Sequence, residues 1–383
     1  MLFFWGATMN INTIKAHFSI IRDKRQSAKV DYPLFDILFG SICAVIAGGQ
    51  GWTDIREYVL GHHEWFLKQG LFENGVPVDD TFARLIANID PAEFRDCFLG
   101  WMNAVHTMTF GEVVAIDGKT LRGSYDRDDR QSTIHMVSAY ASANQMVLGQ
   151  LKTNNKSNEI TAIPELIKML DLRGAIVTID AMACQTKIAK AITSKGGDYL
   201  LAVKGNQGKL SAAIQTAFAP HRRAPIDKTT YQIEKQKGRV EARTCHVLKA
   251  SELEGDFSTW SGLASIVMVE NYRVAKGKAP KLEYRYYISS ADLTAEQAGN
   301  AIRAHWGIES MHWILDVSMR EDACQIYRQN AAENLAGLRH MALNMLRAEP
   351  SKISVPMKQK RCMMNPGFLE QVLVAGFKSM TKF

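Results

Sequence analysis

The sequence has no C-x-x-C pair, no apolar run long enough to cross a bilayer, and no internal repeat or low-complexity tract. Each absence removes a class of protein. The six cysteines, Cys43, Cys97, Cys184, Cys245, Cys324 and Cys362, are scattered over 383 residues without the spacing a zinc module requires. Reduced thiols in a cytoplasmic protein are the simple reading. The longest apolar stretch, Leu34 to Gly49, is broken by Asp36 and falls short of the roughly 20 residues of a membrane span, so it reads as a buried helix. The opening MLFFWGATM has neither a basic leader nor a small-residue cleavage site and does not read as a signal peptide, and Met9 is a second candidate start. Charged residues at 22% and aromatics at 9% give no support for disorder.

What is present suits a folded protein of two or three domains: 46% of the residues are hydrophobic, enough for one large core and one or two smaller ones. Lys and Arg number 46 against 39 Asp and Glu, a formal charge of +7 that suits a polyanionic partner without requiring one.

Residues 10–108 carry apolar positions at helical spacing, as in Phe82, Leu85, Ile86 and Ile89, and helix-start signals at Asp79-Asp80-Thr81 and Asp90-Pro91. This front region is expected to be an all-α domain. Over 109–350 the pattern changes to an α/β domain. VVAID reads as a strand, HMVSAYAS and MVLGQLKT as a hairpin, Glu159 to Leu170 as a helix, AIVTIDA as a strand, Gln185 to Ser194 as a helix and YLLAVK as a strand. Together these predict a sheet of mixed direction. A β-rich insertion at about 208–292 precedes a long helix starting near Thr294, and 351–383 reads as a basic tail.

Asp117 and Asp180 occupy similar frames, IDGK and IDAM, each at the end of an apolar strand where ligands of open α/β sheets gather. The plain alternative for either is a turn former or cap at a strand end. Two such carboxylates can share a hard divalent cation, a third lets a second ion bind, and two ions about 4 Å apart can stabilise the attacking and leaving oxygens of a phosphoryl displacement. The third candidate is Glu309, on a helix that stacks His305, Glu309, His312 and Asp316 along one face, with Trp306, Trp313 and Val317 on an adjacent stripe suited to docking on the sheet. A carboxylate-bridged di-iron site would need the Glu-x-x-His motif of Glu309 and His312 twice, and one copy is present. His305 and His312 as zinc ligands lack an evident third partner. Lys119, Arg122, Lys204 and Lys209 flank the strand ends as candidate phosphate contacts, each with a solvated surface charge as its alternative. Asn155, Lys156, Asn158 and Glu159 form a polar knot that reads more readily as helix capping by Ser157 or Asn158 than as a DNA contact, and Trp52, Trp101 and Trp260 read as core or interface aromatics ahead of base-stacking platforms.

RDKRQSAKVDYPLFDIL, AIDGKTLRGSYD, KSNEITAIPELIKMLD, TIDAMACQ, GGDYLLAVKGNQG, RYYISSADLT and HWGIESMHWILDVSMREDAC, in that order, resemble the H-repeat-associated proteins over the full length. These are Rhs-element-associated insertion-sequence transposases of the DDE class, within the insertion-sequence-four superfamily. The resemblance implies a ribonuclease H-like core with a β-rich insertion before the last catalytic helix, preceded by a small helical domain. It implies Asp117, Asp180 and Glu309 as the catalytic, metal-holding triad, with two Mg2+ or Mn2+ ions as cofactors. Water would cleave DNA at a transposon end and the freed 3′-hydroxyl would attack target DNA. The implied partners are DNA, through terminal inverted repeats and target, and a second copy of the chain to pair two ends, with no membrane. Where the superfamily signature has Tyr, Arg, Glu and Lys, this sequence has Ile302, His305, Glu309 and Asp316, which makes His305 a candidate DNA contact in the arginine's place. A metal-dependent nuclease without joining activity, and a catalytically silent DNA-binding relic, are the alternatives.

Overall fold

The structure, a computed structural model, describes residues 9–126, 133–153, 159–222, 229–236 and 239–377. The chain opens with six helices: α1 (Ile11–Phe18), α2 (Leu34–Ile46), α3 (Trp52–Gly61), α4 (His63–Lys68), α5 (Asp79–Asn88) and α6 (Pro91–Val105). The start signals act as expected. Asp90 accepts from the Ala92 N–H at 2.9 Å, and Pro91 takes the first helical position, where a missing N–H costs nothing. The apolar stretch from Leu34 is indeed a buried helix, and its one charge, Asp36, accepts from the Phe72 N–H at 2.7 Å.

The sheet region follows as β1 (Val113–Leu121), β2 (Ile134–Ala141), β3 (Met146–Thr153), α7 (Glu159–Met169), β4 (Ile176–Ile179), α8 (Thr186–Ser194), β5 (Asp198–Val203) and α9 (Gly208–Phe218). Then come β6 (Thr229–Gln236), β7 (Arg239–Lys249), β8 (Ser265–Ala275) and β9 (Lys281–Ser289), and the helices α10 (Ala295–Val317), α11 (Ala331–Ala348), α12 (Val355–Met364) and α13 (Pro366–Phe377). All nine strands form one mixed sheet in the order β3-β2-β1-β4-β5-β9-β8-β7-β6. β1, β4 and β5 run parallel in the centre, joined by the crossover helices that parallel pairing demands. The insertion does not stand apart. β9 pairs antiparallel with β5, Val203 opposite Tyr286, so β6–β9 extend the core sheet along its edge.

The front helices share one buried cluster with the central sheet, and α11 joins the two. Asn344 on α11 bonds both main-chain groups of Val147 on β3 at 2.9 Å, and Asn334 donates to the carbonyls of Ile86 and Ile89. Residues 351–377, expected as a basic tail, instead hold two helices packed on α11. Lys358 is buried and donates to the Leu346 carbonyl at 2.7 Å, closing the end of α11, while Lys352, Lys360 and Arg361 stay exposed. Their apolar faces decide this: Phe368, Leu369, Val372 and Leu373 are buried. Lys378 and Lys382 lie outside the described residues. No helix among the described residues is long and apolar enough to cross a membrane.

Candidate active site

Asp117 sits on β1, opposite Ser138 on β2 and one residue past the last pairing with β4, Ile116 with Ile179. Asp180 follows β4 directly and caps the short turn at 181–183, its Oδ1 facing the N–H groups of Met182 and Ala183 at 3.2 and 3.4 Å. The capping alternative is therefore realised at Asp180, and a capping carboxylate keeps its second oxygen for other work. The sequence reading missed what holds this turn. Asn206 donates to the Ala181 carbonyl at 2.7 Å and Gln207 to that of Cys184 at 2.9 Å, so the GNQ turn after β5 clamps the segment that carries Asp180.

Helix α10 begins at a capping box, in which Thr294 accepts from the Gln297 N–H and the Gln297 side chain accepts from the Thr294 N–H. It carries Glu309 exposed beside the strand ends. The Trp stripe does not dock on the sheet. Trp306, Trp313 and Val317 are 49, 61 and 54% exposed, and Ile308, Met311 and Leu315 take the buried face instead. His305, His312 and Asp316 consequently lie half-buried on the flank toward the sheet.

Asp180 and Glu309 line one cavity of about 540 Å³ together with Lys204, His305, Trp306 and Arg285. Asp117 is close enough to feel both: its carboxyl is pushed up to about 7, first by burial and then by the charges of Asp180, Glu159 and Glu309, against a hydrogen bond from Gly118 that lowers it. Among the described residues no three His, Cys, Asp or Glu side chains stand close enough to form a ready-made metal site. The donor set still fits a hard divalent cation. Carboxylate oxygens are its preferred ligands, and a cation beside Asp117 would offset first the burial and then the neighbouring charges that push its carboxyl up. Closing on an ion requires the side chains to draw together.

Glu159 is a carboxylate the sequence reading assigned to a capping knot. It is buried at the first position of α7 and lies against Gly118, where a Cβ would collide with its carboxylate. The glycine after Asp117 is the one signal that pointed to a close approach. Asn155, Lys156, Ser157 and Asn158 lie outside the described residues.

The basic candidates separate. Lys204 lines the cavity, and Lys209 is exposed at the start of α9. Arg122 is exposed and 3.6 Å from Asp322. His305 lines the cavity with its Nδ1 2.9 Å from the Thr178 hydroxyl, and burial lowers its pKa. Lys119 is a correction. Its side chain is only 9% exposed and its ammonium is committed to Glu321 and Asp316, so it faces the interior rather than a phosphate. Glu321 is the hydrogen-bonded partner; burial pushes its carboxyl up, but Lys119, Arg339 and His340 together hold it down. His312 lies 3.7 Å from Asp117, and burial followed by the Lys119 charge drives it down to about 3, leaving the ring neutral. The cysteines supply no nucleophile: all six are buried and unpaired, and burial pushes Cys97, Cys184, Cys245 and Cys362 up to about 12. Trp101 and Trp260 are buried and Trp52 packs against the core, as expected.

A family model described as "Transposase DDE domain" matches residues 108–345. The chain belongs to that family. A second model, "DDE_Tnp_1-associated", matches residues 15–102 of this DDE-family chain. The chain is 45% identical over 372 residues to the "H repeat-associated putative transposase YhhI" of Escherichia coli (strain K12), covering 95% of this chain and 98% of that protein. It is 46% identical over 373 residues to the "Putative transposase YncI" of Escherichia coli O157:H7, covering 96% of each. Among solved structures it is similar to a chain of "Cryo-EM structure of piggyBac transposase synaptic complex with hairpin DNA (SNHP)", at 14% identity and a TM-score of 0.43, covering 97% of this chain and 77% of that one. The family expected from the ordered motifs is the family that matches.

Proposed function

We propose that the chain is a DNA transposase that cleaves the ends of a mobile element and joins them to target DNA, with Asp117, Asp180 and Glu309 as ligands of two divalent ions, Mg2+ or Mn2+. The observation that carries this is the Asp117 carboxyl: half-buried on a central strand, raised to about 7, and surrounded by the charges of Asp180, Glu159 and Glu309. Burial is the larger cause of that rise and the neighbouring carboxylates add to it, and a cation bound there would offset both.

When bound, the ions supply Lewis acidity to the attacking and leaving oxygens of an in-line displacement. The chain does the rest. The clamped turn after β4 fixes Asp180, the capped helix α10 brings Glu309, and Thr178 holds the His305 ring in the cavity, where it would meet a phosphate. The carboxylate cavity continues past Ile302, Trp306 and Arg285 into a second of about 750 Å³ over the outer strands. Arg239, Arg243, Arg273, Lys281, Arg285 and Arg303 line that trough against Glu234, Glu241 and Glu283, a net positive path for a phosphate backbone. Arg285 lies 6.0 Å over the exposed Trp306 ring, the kind of aromatic face on which a base can stack. Two copies would hold two ends together, in the cytoplasm and on the nucleoid when bound to DNA.

The test supplies intact and pre-cleaved ends from the inverted repeats flanking the reading frame, plus target DNA, in Mg2+ or Mn2+. Cleavage and joined product that both vanish in Asp117→Ala, Asp180→Ala and Glu309→Ala are expected. Cutting without joining would make the protein a nuclease, and binding without cutting would make it a silent relic.

A further inference from the structure

A second polar cluster adjoins Asp117, and the proposed reaction makes no use of it. Lys119 shares a face of β1 with Asp117, because side chains two apart on a strand point the same way. Its ammonium donates to Glu321, which is fully buried in the turn after α10 and tied to that helix by its own N–H to the Leu315 carbonyl at 3.0 Å. His312 on α10 places Nδ1 3.7 Å from Asp117 Oδ2. His312 Nε2, Glu321 Oε1 and, from α11, His340 Nδ1 are buried with no hydrogen-bond partner among the described residues. Three elements thus bring polar groups to one spot beside a candidate ligand.

Stability does not explain the arrangement. Buried ion pairs hold a fold no better than apolar side chains of the same volume, and unpartnered buried nitrogens hold it worse. Positioning does explain it. Carboxylates and imidazoles that bind metals depend on outer hydrogen bonds to set their orientation. The separation of 3.7 Å is too long for a hydrogen bond, and an approach of roughly 0.7 Å between the Asp117 carboxylate and Nδ1 makes it one.

We propose that His312 is a positioning residue for Asp117, orienting its carboxylate through Nδ1. The inference rests on the ligand role of Asp117 put forward above. Mn2+ titration of the full-length protein without DNA, read calorimetrically alongside the melting temperature, separates the two ideas. In His312→Asn the amide falls where Nδ1 was, and binding stays close to wild type. In His312→Gln the amide falls nearer the Nε2 position, and Mn2+ affinity drops about 10–100-fold. His312→Leu loses the same affinity while the metal-free protein melts at or above the wild-type temperature. Should Asp117→Asn abolish binding while His312→Gln and His312→Leu bind like wild type, the positioning role is overturned and the ligand role of Asp117 stands. Equal losses in the Asn and Gln variants, matched by lowered melting, would make His312 structural and also overturn it. Unchanged Mn2+ binding in Asp117→Asn would remove the ligand role and this inference together.

Discussion

Helix α2 is buried from Phe35 through Ile46, whereas α10, at 23 residues against 13, buries only Ala295, Ala298, Ala301, Ile308, Met311 and Leu315. Apolar on nearly every side, α2 is held in the core by its own surface, with its one charge, Asp36, turned to the Phe72 N–H. Polar groups surround α10, and its phase is set by a narrow apolar stripe through Ile308, Met311 and Leu315, which leaves Glu309 at the cavity and His312 3.7 Å from Asp117. Burial of the two tryptophans would have rotated those groups away. The difference separates a helix buried on nearly every side from one whose narrow apolar stripe leaves its other faces to line a cavity.

The sharpest way to break this contrast is truncation within α2. Ile42 is fully buried, so Ile42→Ala should cost about 2–5 kcal/mol in denaturant unfolding and leave Mn2+ binding by the folded protein unchanged. At the strand ends, Gly118→Ala sets a Cβ against the Glu159 carboxylate and should cost about 1–3 kcal/mol, with Mn2+ affinity falling as Asp117 shifts. Asp117→Asn should act in the opposite sense. Its folded pKa of about 7 lies above the ordinary 3.8, so the stability tied to the protonated acid is present below pH 3.8 and is lost as pH rises through 7. At pH 8 in a chelator the asparagine variant should therefore be more stable than wild type by roughly 1–2 kcal/mol, after discounting for a side chain 31% exposed, and the gain should vanish near pH 4. The smallest effect belongs to the outer face of α10: Trp313→Ala should change unfolding by less than about 0.5 kcal/mol, because the ring gives up little burial.

Much of this layout was legible in the sequence. The strand, hairpin, helix, strand, helix, strand order over 113–203 follows from β-branched runs and turn residues, and the repeated IDG and IDA frames singled out two aspartates that each follow a member of the last paired couple of neighbouring strands, Ile116 and Ile179. Less legible was whatever depends on a distant partner. Lys119 reads as a surface charge until Glu321, some 200 residues later, is folded over it. The tail reads as basic because Lys352, Lys360 and Arg361 outnumber its acids, although its apolar positions repeat at helical spacing and bury against α11. Glu159 was visible only as a cap: the glycine after Asp117 signals a close approach, but nothing local says which side chain approaches.

Anomalous scattering from a crystal soaked in Mn2+ tests the central claim most directly. The expected result is a peak within about 2.0–2.2 Å of oxygens of Asp117 and Asp180, with Glu309 turned in toward it or toward a second peak, absent from Asp117→Asn. A peak only at other residues, or none at saturating Mn2+, would contradict the account.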